Sequence, residues 1–174
     1  LYDVEKNVAE KPTKAWTAKG TDAGEYPVGI VSGDFRNTSK NFTNVEFVIV
    51  DGTLKIDPVS DKVTVTITEN ADTVIYDTKE HSVKGYKSMT ADNALYDVKK
   101  NVAETPTEAW TAKGTDVGEY PVGIVSGDFE NTSVNFTNVE FVVVDGALNI
   151  TPAENIAVKI AGSTKTVIYD GTEQ

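Results

Sequence analysis

The sequence predicts an all-β protein, and three observations carry that reading. Residues 62 to 70, KVTVTITEN, alternate strictly, with Val63, Val65 and Ile67 on one face and threonines on the other. Asp-Gly pairs at Asp51-Gly52 and Asp145-Gly146 lie between runs of β-branched and aromatic residues. No stretch sustains an apolar period of 3.6 residues, so any helix is local. The expected architecture is a series of small antiparallel β modules, each an Ig-like sandwich of about seven short strands in two sheets. A β-grasp-like arrangement is the alternative. The modules are expected to lie end to end as an elongated rod.

In chain order, the first element is AWTAKGTDAGEYPVGI, from Ala15, which reads as a hairpin around Gly20 to Gly24. The stretch SGDFRNTSKNF, from Ser32, is polar and punctuated, a loop with room for one helical turn. In VEFVIVDGTLKID, from Val45, Asp51-Gly52 suits a type I′ turn because both central positions need positive φ. That turn pairs Ile49 with Leu54 and Phe47 with Ile56. It places Val45, Phe47, Ile49, Leu54 and Ile56 on the core face and Glu46, Val48, Val50, Thr53, Lys55 and Asp57 outside. Lys62 to Asn70 follows as an amphipathic strand.

The chain is also internally duplicated. Residues 1–58 overlie residues 95–152 at an offset of 94 without a gap, and ten positions differ. The register then slips: PVSDK at Pro58 is answered by PAEN at Pro152, after which Val63 onward aligns with Ile156 onward at an offset of 93. Length changes are tolerated best in connections, so the repeat joints fall at 58–62 and 152–155. On that division the chain holds the back of one module, a whole module from 59 to 152, and the front of a third. A second division takes residues 1–81 and 95–174 as the units, with 82–94, SVKGYKSMTADNA, as the connecting segment. It leaves no half-module in need of a partner. On the first division the end of one chain would complete the start of the next by strand complementation.

Composition limits the partners. The 174 residues hold 27 acidic and 16 basic side chains, a net charge of -11. Nucleic acid and anionic membrane surfaces demand a Lys/Arg footprint and are disfavoured. With no cysteine, neither a disulfide framework nor a thiolate metal site is available. No apolar run approaches the roughly 20 residues of a membrane helix, and neither a signal peptide nor an initiating Met is present, as expected of an excerpt from a longer protein.

Several ordered motifs together resemble the bacterial MBG repeat, found in tandem in large surface adhesins. They are VTVTI (Val63), VIYD with YDGTEQ (Tyr169), GTDVGEYPV (Gly114), NFTNVEFVVVDGALNITP (Asn135) and the proline joint. The chain departs from the pattern at Asp77-Thr78, where the usual Gly is replaced. The resemblance implies an extracellular protein at the bacterial cell surface, whose repeats form a stalk or bind host glycoprotein. It implies no catalytic residues.

The candidate chemistry is sparse. The single histidine, His81, is answered by Gln174 in the other copy, which excludes a repeated His-dependent site. Carboxylates are abundant, but spacing singles none out. Calcium suits the loops GTDAGE (Gly20) and SGDF (Ser32), whose Asp and Gly residues serve plain turns equally well. No other cofactor is implied. Trp16 and Trp110 are the candidate glycan-binding residues, as platforms for a sugar face, with core packing as the competing role. Sequons begin at Asn37, Asn41, Asn131, Asn135 and Asn149; in a bacterial surface protein they read as loop and β-surface residues. A Lys-to-Asn or Lys-to-Asp isopeptide bond lacks a supporting pattern.

The expected function is that of a non-enzymatic structural stalk or spacer presenting an adhesive region, its partners being neighbouring repeats of the parent protein. The alternative is that each repeat binds mucin or another host glycan. Four differences between the copies, Glu5 to Lys99, Lys14 to Glu108, Arg36 to Glu130 and Lys40 to Val134, reverse or abolish charge, which a shared charged binding face would tolerate poorly.

Overall fold

A computed structural model describes residues 1–11, 16–106 and 110–174. The N-terminal copy contains the single-turn helix α1 (Val4–Asn7) and strands β1 (Val8–Glu10), β2 (Gly24–Pro27), β3 (Phe35–Asn37) and β4 (Thr53–Ile56). Next come β5 (Val63–Glu69), β6 (Asp72–Ile75), β7 (His81–Lys84) and β8 (Tyr86–Ala91). The second copy supplies α2 (Val98–Asn101), β9 (Val102–Glu104), β10 (Thr111–Gly114), β11 (Gly118–Pro121), β12 (Phe129–Asn131), β13 (Val139–Val144) and β14 (Ala147–Thr151). The fold is all-β and sandwich-like. Among the described residues no helix is long and apolar enough to cross a membrane.

The strand β5 realises its alternation: Val63, Val65 and Ile67 are fully buried while Thr64, Thr66 and Thr68 are half-buried on the other face. Its burial is complete because it is central, with β8 antiparallel on one side and β13 on the other. The expected loop at Ser32 does contain one helical turn, a 3-10 turn over Ser32–Asp34 that is repeated at Ser126–Asp128.

The pairing corrects both expected hairpins. Among the described residues β13 and β14 do not pair with each other; each runs parallel to a strand from the start of the unit. Val139 stands opposite Val63 and Val144 opposite Thr68, and the same register continues from Leu148 opposite Asp72 to Thr151 opposite Ile75. Asp145-Gly146 is therefore a bend between sheets, and Asp51-Gly52 leads into β4 with no strand directly before it. Neither pair has the positive φ that a type I′ turn requires. A Cβ on Gly146 would come within 2.2 Å of the Asn70 carbonyl oxygen, so glycine is needed here for close approach. In the second copy the predicted faces hold, with Val139, Phe141, Val143, Leu148 and Ile150 inward and Glu140, Val142 and Asn149 outward, whereas in the first copy Leu54, expected on the core face, is exposed. Alternation fixes the face of a strand without fixing its partner.

The hairpin expected around Gly20–Gly24, and at Gly114–Gly118 in the second copy, does not close either. Instead β10 pairs with β7, and β11 with β14, both antiparallel. Residues 82–94, expected as a connection, hold most of β7 and all of β8, and Val83 is buried. Sheet formation thus joins residues 63–75 to 139–151. The unit opens where Val59 bridges Phe136 and finishes at Thr151. Pro58 leads directly into this stitching, in which Val59 N–H donates to the Asn135 carbonyl at 2.8 Å and Thr137 N–H to the Val59 carbonyl at 3.1 Å.

One core serves the unit. Val63, Val65, Ile67, Val83, Tyr96, Trp110, Val122, Phe129, Phe136, Leu148 and Ile150 form a continuous buried cluster. Residues 152–174 form no strand, and Ile156, Val158, Ile160 and Ile168 are exposed.

Candidate functional site

The indoles are built in the same way in both copies. The 3-10 turn after Val125 aims the Asp128 carboxylate at its own Val125 N–H, at 3.0 Å, and at the Trp110 Nε1–H, at 2.7 Å. Asp34 does the same for Val31 N–H and Trp16 Nε1–H, each at 3.1 Å. Phe129 stacks on Trp110 with ring centroids 5.6 Å apart, and Phe35 on Trp16 at 5.4 Å. Trp110 is only 6% exposed. Trp110 is thus a core aromatic with a covered ring and a satisfied indole N–H, the ordinary place for so large an apolar surface, whereas Trp16 has the same partners but is only half-buried.

The loops considered for calcium are occupied by protein donors. Asp34 and Asp128 accept from N–H groups, and Asp22 Oδ1 accepts from the Asn135 side-chain amide at 2.8 Å. Among the described residues no group of three or more His, Cys, Asp or Glu is placed to hold a metal ion. His81 Nε2 lies 2.8 Å from Asp77 Oδ1, and Gln174 Nε2 reaches Asp170 Oδ1 at 3.0 Å. Histidine and glutamine hold equivalent carboxylates, so the position needs a hydrogen-bonding side chain rather than a proton carrier. The hydrogen bond from His81, then that from Lys79 N–H, holds the Asp77 carboxyl below the usual carboxylate range. Asn131, first residue of a sequon, accepts from Tyr96 Oη at 2.8 Å and Ser133 N–H at 3.0 Å and donates to the Phe136 carbonyl at 2.8 Å. It is a loop-closing side chain.

Sequence reasoning passed over Glu69. It continues the inward parity of Val63, Val65 and Ile67, and that was the available signal: a carboxylate at a core position. Glu69 is 2% exposed, and its two oxygens accept from Ile124 N–H and Gly146 N–H, each at 2.6 Å. A single side chain thereby ties the end of β5 to the loop after β11 and to the bend between β13 and β14.

The other candidate is an open groove on the N-terminal copy. It has a volume of ≈ 760 Å³ and a floor of Tyr2, Val8, Phe35, Val45, Phe47 and Ile49, with Glu5, Glu10 and Glu46 also lining it. The floor residues correspond, at the offset of 94, to Tyr96, Val102, Phe129, Val139, Phe141 and Val143. In the closed unit those six pack with Val63, Val65 and Ile67. The groove is therefore the place that β5 fills in the second copy. Without a β5 beside it, the segment 45–50 forms no strand, and Val48 and Val50 are 80% and 93% exposed. Comparison of the chain with protein-family models, with characterised proteins and with solved structures returns no match.

Proposed function

We propose that this chain is repeat region of a bacterial cell-surface protein, a structural stalk that presents an adhesive region. The observation that carries this reading is where the closed unit begins and ends. Its first residues bridge at Val59 and Phe136 and its last pair at Ile75 and Thr151, the two extremes of one parallel pairing. A unit fed in at one extreme and left at the other stacks in series with short links, and its stability is nearly a sum of repeats and neighbour interfaces. Neighbours touch directly. Ala23 N–H donates to Asn135 Oδ1 at 2.5 Å, and the Asn135 amide donates back to Asp22. The resemblance of the repeat motifs to MBG repeats supplies the cell-surface setting.

The glycan-binding alternative rests on Trp16, which is half-buried with Phe35 stacked on it, because Trp110 is buried. Small-angle scattering tests the stalk. The expected radius of gyration is well above the roughly 16 Å that the size scaling gives for one compact domain of this length. A value near that figure overturns the reading. A glycan array probed with the intact chain is expected to stay silent, and reproducible binding would favour the alternative.

A further inference from the structure

Residues 63–75 and 139–151 run side by side in one parallel register, from Val63 opposite Val139 to Ile75 opposite Thr151. The chain enters the closed unit beside the start of the first stretch and leaves it at the end of the second. Tension applied through the chain therefore draws the two stretches past each other along their own length. Both extremes carry bonds of their own. At the entry Val59 N–H and Val63 N–H donate to the Asn135 and Asn138 carbonyls, at 2.8 and 2.9 Å. At the exit the Thr151 carbonyl accepts from Tyr76 N–H at 2.9 Å, and the Thr151 hydroxyl donates to the Val74 carbonyl at 3.2 Å. We propose that this pairing is a load clamp, which resists tension along the chain in shear, with Glu69 joining its two ladders so that they yield together.

In shear every bond of a ladder is strained at once, whereas in peeling the bonds at one end take the load in turn. Sliding also meets the core. A slip of one residue would turn Val63, Val65 and Ile67, all fully buried, towards the outer face. The ladder is interrupted once, between Thr68 opposite Val144 and Asp72 opposite Leu148, where the paired stretches pass from one sheet to the next. Glu69 occupies that gap. Its oxygens accept from Gly146 N–H of the second stretch and from Ile124 N–H, each at 2.6 Å, and sliding would pull both donors away from a buried carboxylate. Asn70 holds the same point from the other side: its N–H donates to the Gly85 carbonyl at 3.0 Å and its side-chain amide to the Lys84 carbonyl at 2.8 Å. The first stretch is thus anchored at mid-length to the second stretch, to the loop after β11 and to the turn between β7 and β8. The resistance follows from the pairing alone; only its use, in a chain under tension, rests on the stalk reading.

Single-molecule stretching of the full chain tests the clamp through the direction of pull. With handles at the two ends of the chain, load enters at Val59 and leaves at Thr151, and opening of the unit lengthens the tether by about 30 nm, the extended span of residues 59–151. The chain has no cysteine, so Lys79→Cys supplies a single thiol for a second geometry, at a side chain 78% exposed in the turn after β6. Pulling between that thiol and the C-terminal end separates β6 and β14 from the end where Ile75 faces Thr151, and peels them. The gain is then about 25 nm, for residues 79–151.

At one loading rate the rupture force is expected to be several-fold higher in the first geometry than in the second. Forced opening is governed by the unfolding rate. Glu69→Gln is expected to lower the force of the first geometry and to leave the second unchanged, because peeling starts at Thr151 and meets Glu69 late. Equal forces in the two geometries with Glu69 intact would overturn the clamp. An equal fractional loss in both on Glu69→Gln would overturn the part given to Glu69 and leave it an ordinary stabilising residue. A several-fold force ratio in a chain that scattering shows to be compact would sink the stalk reading and uphold the clamp.

Discussion

At the scale of single residues, Glu69 has the largest structural consequence for its size. Both of its oxygens face buried backbone N–H donors, so a neutral amide of the same shape presents a donor to a donor on one side. Glu69→Gln is expected to lower unfolding stability by about 1–3 kcal/mol, the cost of one buried unsatisfied group. Urea titration checks it, and an unchanged midpoint would mean that the two bonds contribute nothing net. Tyr86 offers a pH readout. Burial, and then the hydrogen bond to Glu104 Oε1 at 2.6 Å, push its hydroxyl up to about 12 from 10.0. A folded-state pKa raised above the unfolded one means that this contribution is whole below about pH 10 and is lost as pH rises towards about 12. Ultraviolet titration should show Tyr86 ionising after the exposed tyrosines, and Glu104→Gln should bring it earlier.

At the scale of elements, the turn after β6 holds a residue against its preference. Thr78 has φ 70° and its counterpart Gly171 has φ 79°, both in the left-handed region. Lys79 N–H donating to Asp77 Oδ1 at 3.0 Å, matched by Thr172 N–H to Asp170 at 3.1 Å, fixes the same turn in both copies. A β-branched residue there is strained by about 1–3 kcal/mol, against roughly 0.5–1 kcal/mol for the extra chain entropy of glycine. Thr78→Gly is therefore expected to stabilise the closed unit by about 1 kcal/mol, read as a higher denaturation midpoint; a lower midpoint would refute the strain. The departure of Asp77-Thr78 from the Asp-Gly pattern was legible in the sequence. The same turn forms at Gly171, where no strands flank it, so the Asp side chain and the local backbone set the conformation rather than the sheet.

At the scale of the whole molecule, the question is which residues fold together. The parallel pairing of 63–75 with 139–151 places Val63, Val65 and Ile67 at the centre of the core. Each such side chain contributes about 1.5–3 kcal/mol by burial. Residues 59–151 expressed alone are expected to unfold in one cooperative, concentration-independent transition. Residues 95–174 lack all three side chains and are expected to give no cooperative monomeric transition. A cooperative monomer from 95–174 would show that the β5 contribution is dispensable.

The sequence by itself determined the all-β class, the duplication and the inward parity of Val63, Val65, Ile67, Phe141 and Leu148. These follow from local periodicity and from comparison of the chain with itself. The tertiary structure decided which strands are neighbours, that Asp145-Gly146 is a bend between sheets, that Trp110 is a core residue and that Glu69 is an internal latch. A strand's alternation states which face is apolar, but the same pattern serves an antiparallel hairpin partner and a parallel partner more than 70 residues away. Choosing between them takes the packing of a complete core, and in this chain β5 completes it for one copy only.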